Sequence, residues 1–432
     1  MDTSSKGLVV SEELLEIRWN QTVVQRVCRV SYDLRDGVRI STEPWIITSE
    51  PLPSLDDRYS VRAQNGEPFE AFATRIPRSW SETGWRAELQ LVPKLEPVLI
   101  HKASPVRSVK FAIPNFGHFI SQRPGHRAIR NHIDLPGGGW SFHIGLLGEL
   151  ELGDLSAAES YSFTFTHSGT LTRDDGLDFT PLEARHALAA IGDFLTFCRG
   201  RLISPALVEG FDAEGHKVMQ EWGSGRIEPY TECATWLDRN QAQEMAYVFP
   251  GFLKRTLDPE WREVLRECIY WYSRTNTAAA GVDGALVLIQ AALESLAWRL
   301  LVQHHKVLSA HGFEKLPAAD HLRLLMDRCS IPLTIPEGLE ALHRAAAKTW
   351  SDGPEAVVEI RNRVVHPPKK ASGSSNKKGS GVYWDAWRLG AWYLELAILR
   401  LVGFNGKYAN RTNKHLGSVE AVPWAAFDPA NI

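Results

Sequence analysis

Grouped cysteine is the first thing missing from this sequence. Its 432 residues hold five cysteines, Cys28, Cys198, Cys233, Cys268 and Cys329, odd in number and far apart. None forms the Cys-x-x-Cys spacing that chelates zinc or runs thiol exchange. Isolated cysteine behaves as a small hydrophobe, so reduced structural thiols in a cytoplasmic protein are the expectation. Long hydrophobic runs are missing too. Nowhere do eighteen apolar residues follow one another, so no uninterrupted segment reads as a bilayer-crossing helix. The opening MDTSSKGLVVSEELLEIRWN puts acids where a secretory signal needs an apolar stretch, and neither a signal peptide nor a membrane is expected. Neither sign of charge dominates: 48 basic against 51 acidic side chains leave a net charge of -3. Any hold on nucleic acid must therefore come from a local basic patch. Gly137-Gly138-Gly139 runs into Trp140 without the Gly-Lys-Ser/Thr that a phosphate loop requires, and reads as a plain loop.

What is present, 44% hydrophobic and 23% charged residues over 432 positions, is enough for more than one core. From about Val23 to Arg173 the apolar residues alternate, as in GWRAELQLVP, SVKFAIPNF, GWSFHIGLL and YSFTFTHSGTLT, with Pro and Gly between the runs. Period two of this kind predicts an antiparallel β sandwich or barrel, with a tight turn at Asp36-Gly37. Thr180-Pro181-Leu182-Glu183 reads as a capping box opening a helix over about 181–199, which closes a β-rich domain spanning 1–204. Residues 205–257 read as a mixed connector, with a hairpin around Asp212 to Gly215 and a short helix near Ala242 to Phe249 stopped by Pro250.

From Asp258 onward the period becomes that of a helix. Asp258-Pro259 is a cap followed by a first-turn proline, and Trp261, Val264, Leu265, Cys268, Ile269 and Tyr272 make one face. A second helix, Asp283 to Val302, carries Glu294 as a polar intruder in its apolar stripe. Further helices are predicted near 319–328, 338–349, 354–366 and 382–402, giving an all-α domain over 258–432. The fold class is thus α+β and multidomain.

The candidate chemistry lies in Glu359-Ile360-Arg361-Asn362-Arg363-Val364-Val365-His366-Pro367. Pro367 ends the helix and leaves His366 at its exposed edge. Asn362 lies one helical turn before the histidine, placed to orient the imidazole, and Arg361 is within reach of a phosphate shared with it. Between Arg361 and Gly381 stand Arg363, Lys369, Lys370, Lys377 and Lys378 with no acid among them, a basic stretch in an acidic whole. Its KKASGSSNKKGSG portion has too little apolar surface to order itself, and these four lysines and Arg363 are the candidate substrate-binding groups.

Arg361 and His366 resemble the R-x4-6-H motif of HEPN-domain ribonucleases, with Asn following the Arg as in many members. A β-rich domain ahead of the helical one is similar to the layout of ApeA-type prokaryotic anti-phage defence HEPN proteins. The resemblance implies a HEPN-like helical bundle over about 259–402 and a metal-independent endoribonuclease without cofactor. Arg361, His366 and Asn362 would be catalytic and Glu294 supporting. It further implies RNA, tRNA included, as substrate, a homodimer whose motif helices face each other, and a toxin-like or defence role. The N-terminal domain would then sense a trigger ligand or protein. A second reading is a non-catalytic HEPN module that binds or dimerises while the N-terminal domain recognises a ligand or protein.

Other groups read as structural. His304, His305 and His311 lack a carboxylate at metal-ligand spacing, and His143 and His167 fall in strands. The tail GFNGKYANRTNKH, with Lys407, Arg411, Lys414 and His415 and with Tyr408 among them, reads as a solvated segment that could hold an RNA backbone.

Overall fold

The computed structural model describes residues 8–33, 37–47, 52–64, 66–94, 98–101, 104–117, 132–147, 164–222, 225–238, 241–277, 281–346, 349–366, 380–414 and 418–427. It falls into two units: residues 1–116, 139–189 and 203–230 form one, and residues 117–138, 190–202 and 231–432 the other. The arrangement is α+β, antiparallel sheets in the first unit and helices in the second.

The first unit opens on a strand that the sequence reading passed over. β1 (Leu8–Trp19) pairs with β2 (Thr22–Asp33) from Leu8↔Tyr32 to Trp19↔Thr22, turning at Asn20 in the left-handed region. β3 (Gly37–Thr42), β5 (Tyr59–Ala63), β6 (Phe69–Arg75) and β9 (Gln90–Pro93) complete a closed barrel in the order β1-β2-β3-β9-β6-β5. Alternate residues point inward, among them Leu15, Ile17, Trp19, Cys28, Val30 and Ile40, all buried. Closure leaves no unpaired strand edge. β4 (Trp45–Ile47), β7 (Arg78–Ser81) and β8 (Gly84–Ala87) form a small separate sheet. Residues 34–36 of the expected Asp36-Gly37 turn lie outside the described residues, but the flanking β2 and β3 pair from Cys28↔Thr42 to Asp33↔Gly37.

The second sheet of this unit runs β10 (Val98–His101), β16 (Lys217–Trp222), β15 (Ala206–Phe211), β11 (Ser108–Pro114), β14 (Phe165–Arg173), β13 (Trp140–Leu146). Gly169 in β14 faces the Phe111 ring across the ladder, where a Cβ would come within 2.2 Å of the ring, so only glycine fits. His167 is buried in the same strand, its Nδ1 2.9 Å from Thr166 Oγ1, while His143 is exposed. The stretch read as a connector is shared: β15 and β16 belong to the sheet, their hairpin closed by the Asp212 amide on His216 O at 3.0 Å, and residues from 231 onward belong to the helical unit.

α1 (Pro181–Arg199) opens with the predicted capping box: the Glu183 amide donates to Thr180 Oγ1 at 3.2 Å and the Thr180 amide to Glu183 Oε2 at 2.8 Å. The helical unit contains its C-terminal half and α2 (Gln243–Leu257). Pro250 does not end α2 but sits inside it. The buried face Met245, Val248, Phe249, Phe252 and Leu253 continues across the proline, and that burial outweighs one lost backbone hydrogen bond. β12 (His132–Gly137) packs on α2.

α3 (Pro259–Thr275) is capped by Asp258, whose Oδ1 accepts from the Glu260 amide at 2.9 Å. α4 (Gly281–Ala297) runs on as a π-helical turn, Trp298–His304. The remainder is α5 (Ala310–Lys315), α6 (Ala318–Arg328), α7 (Glu340–Ala346), α8 (Gly353–Val365) and α9 (Ser380–Leu401). α4 is central, packing against α3, α6, α8 and α9. Residues Gly281–His304 are long and apolar enough to cross a bilayer by length and composition, and half of that window is buried inside the unit, as for the central helix of a bundle.

The tail after α9 is only partly solvated: Tyr408, Arg411 and Thr412 are buried, whereas Lys407 and Lys414 are exposed. Arg411 is 3% exposed and donates to Glu395 from Nη2 at 2.5 Å and Nε at 3.0 Å, and to Ala234 O at 2.8 Å. Tyr272 OH donates to the same carboxylate, and the guanidinium lies over the Tyr272 and Trp387 rings at 5.8 and 5.5 Å. Burial pushes the Glu395 carboxyl upward, against the pull of Arg411. Tyr408 is also buried, accepting from Trp392 Nε1 at 3.0 Å.

Candidate functional site

The helix that carries Arg361 is fixed first at its other end. Asp352 is extended, and its Oδ1 accepts from the Glu355 amide at 2.9 Å, a side-chain cap with Pro354 in the first turn. Arg323 of α6 then grips Asp352, with Nε 2.6 Å from Oδ2 and Nη2 3.1 Å from Oδ1, and reaches Asp320 at 2.5 Å. The hydrogen bond to Asp352 holds the Arg323 pKa above its ordinary value. Gly353, Pro354, Ala356, Val357, Val358 and Ile360 form the buried face of α8. Position and rotation of the helix are thus set by its capped end and by packing, and its C-terminal turn is left to present side chains.

In that turn Arg361 and Asn362 are half-buried, Arg363, Val365 and His366 exposed. His366 closes the helix, its amide donating to Asn362 O at 2.7 Å and its backbone leaving the helical region at φ -125, ψ 73. This is the edge position expected from the following proline. The Asn362 side chain does not orient the imidazole: its Oδ1 accepts from Arg361 Nη1 at 3.2 Å, and the ring of His366 makes no hydrogen bond among the described residues. Arg361 has no carboxylate partner among the described residues, and its Nε is buried without an acceptor. A guanidinium held without a carboxylate keeps its whole charge for an incoming anion.

Glu294 does not join this group. It is half-buried on α4, where it accepts from Gln290 Nε2 at 2.7 Å, and it makes no ion pair with Arg361 among the described residues. The Arg363 guanidinium lies over the Trp350 ring at 5.5 Å and has no carboxylate partner among the described residues. Lys369, Lys370, Lys377 and Lys378 lie outside the described residues. The aromatic residues of α9 divide: Trp392 and Tyr393 pack the core, while Trp384 is 49% exposed near the start of the helix, its ring 4.6 Å from that of Trp387. Sequence reasoning missed Arg323 and Trp350, since neither stands at a spacing that announces contact with α8.

Asp212, Glu214 and His216 bring ligand atoms within 4.8 Å of one another on the β15–β16 turn. Asp212 Oδ1 is already engaged by the Glu214 and His216 amides at 3.1 and 2.7 Å, which is the work of a turn.

Residues 258–421 match the family model described as the YopA C-terminal domain, and residues 101–233 match the YopA central domain. The chain is similar to YopA. Over 272 residues it is 30% identical to the SPbeta prophage-derived uncharacterized protein YopA of Bacillus subtilis (strain 168), an overlap of 62% of this chain and 60% of that relative. No solved structure matches. Arg361, Asn362 and His366 all fall within the segment similar to the YopA C-terminal domain.

Proposed function

We propose that the helical unit is a metal-independent endoribonuclease of the HEPN type, with Arg361 and His366 as its cleaving pair and Asn362 steadying the arginine. The observation that carries this reading is Arg361 itself, half-buried and with no carboxylate partner among the described residues, five residues ahead of an exposed histidine at a helix end. In the reaction the ribose 2′-oxygen bonds to the adjacent phosphorus as the bond to the 5′-oxygen breaks. His366 takes or returns a proton at these oxygens, and Arg361 holds the charge on the non-bridging oxygens. The products are a 2′,3′-cyclic phosphate and a 5′-hydroxyl, and the need for a 2′-hydroxyl restricts the substrate to RNA. In this account two chains pair through their motif helices, the protein works in the cytoplasm as a defence or toxin-like effector, and the first unit answers to a trigger.

One observation favours a second reading. The His366 ring has no hydrogen-bonded partner to fix its tautomer among the described residues, as suits a module that binds RNA without cutting it. Analysis of product ends separates the two: the first yields 2′,3′-cyclic phosphate, while the second yields RNA retention with no such product.

A further inference from the structure

Outside the α8 site, one cavity of about 240 Å³ in the helical unit gathers positive charge from separate elements. Arg255 of α2, Arg328 of α6, Arg400 of α9, and His304 and His305 at the end of the π-helical turn all line it. No acid is among the lining residues. The floor is apolar, with Leu296, Leu325 and Ala397 buried, and the rim is polar, with His304, His305, Arg328 and Arg400 exposed.

The manner in which these cations are held matters more than their number. Arg255 donates from Nε to Leu401 O at 3.2 Å and lies over the Trp261 ring at 5.1 Å, and Arg400 lies over the Trp424 ring at 5.5 Å. None of the three arginines has a carboxylate partner among the described residues. Aromatic faces and a carbonyl position the Arg255 and Arg400 guanidinium groups without cancelling their charge. Loss of water, then His304 and Arg328, push the His305 pKa down, so this imidazole is neutral near pH 7 and the charge at the cavity is that of its three arginines.

The backbone supplies an independent observation. α4 does not end in an ordinary turn but widens into the π-helical segment Trp298–His304, with the His305 amide on Leu300 O at 2.8 Å, and Lys306 follows in the left-handed region at φ 53. Such widened turns and left-handed non-glycine residues carry a local cost and cluster where side chains must be aimed at a ligand. Here they place His304 against Trp261, ring centroids 5.2 Å apart, in the cavity wall.

We propose that this cavity binds the phosphate group of a small ligand, clamped by Arg328, Arg400 and Arg255, with the apolar floor receiving the part of the molecule next to it. The volume lies below the roughly 300–1,000 Å³ of pockets that enclose drug-sized molecules, which selects a compact phosphate ester over a nucleic-acid strand. The proposal does not rest on the ribonuclease reading, because no lining residue belongs to α8.

Calorimetric titration of the full chain with inorganic pyrophosphate, at ionic strength held constant with sodium chloride, tests it. Wild type binds, Arg328→Gln and Arg400→Gln each weaken binding about tenfold, and the double variant shows no saturable binding. Both side chains are exposed and on different helices, so each single variant folds and is checked by its melting temperature without ligand. Absence of pyrophosphate binding by wild type, or equal affinity in wild type and both single variants, overturns the proposal. A short single-stranded RNA is titrated in parallel. Its affinity stays unchanged in the two variants, and a loss as large as that for pyrophosphate would assign the cavity to an RNA surface instead.

Discussion

Arg361 makes one hydrogen bond and no ion pair among the described residues, whereas Arg411 is buried in a double hydrogen bond to Glu395. The first can be removed at little structural cost. Arg361→Met is expected to change unfolding free energy by less than about 1 kcal/mol, since it removes a weak bond together with an unsatisfied donor. Arg411→Met strands a buried carboxylate and is expected to cost about 3–5 kcal/mol, both read from urea unfolding. Asp193 offers a pH signature at the same scale. Burial raises its carboxyl from 3.8 to about 6 despite Arg266 at 3.5 Å. The folded state then binds more protons than the unfolded one between these values, so this group's contribution falls as pH rises from 4 to 6. Asp193→Asn removes that slope. Unfolding midpoints that track wild type across the window would show that Asp193 ionises normally.

At the scale of elements, α8 depends on its capped end. Asp352→Ala removes the cap and the Arg323 grip together and is expected to cost about 1–2 kcal/mol, to be seen as faster amide exchange in the first turn of α8. A loss of helicity spread evenly over the unit would count against a local role. Caps were also what the sequence showed most clearly: Thr180-Pro181-Leu182-Glu183 and Asp258-Pro259 mark real helix starts, because a cap is chemistry between near neighbours. The α8 boundaries and the exposed place of His366 were legible for the same reason. Pro250 was misread because its local preference is overridden by a buried face that only tertiary packing reveals. β1 was passed over because Glu12, Glu13 and Glu16 mask an alternation in which Leu15, Ile17 and Trp19 point inward. The tail around Arg411 was read as solvated because its partners, Glu395, Tyr272 and Ala234, lie on elements distant in sequence. The π-helical turn and the cationic cavity had no signal at all, since neither follows from a spacing.

For the whole molecule, the account joins a β-rich unit and a helical unit in one chain, both similar in part to YopA. For the proposed pairing through the helical unit, Val365 and Trp384, 42% and 49% exposed, are available apolar surface. Sedimentation equilibrium is expected to give a dimer for wild type and a monomer for Trp384→Arg, and a wild-type monomer at micromolar concentration would contradict the proposed pairing of motif helices. The most direct test of the central claim is incubation of total RNA with wild type, Arg361→Ala and His366→Ala in EDTA, with product ends analysed. The account predicts metal-free cleavage by wild type to 2′,3′-cyclic phosphate ends and loss of cleavage in both variants. Equal cleavage by all three proteins, or cleavage that EDTA abolishes, would contradict it.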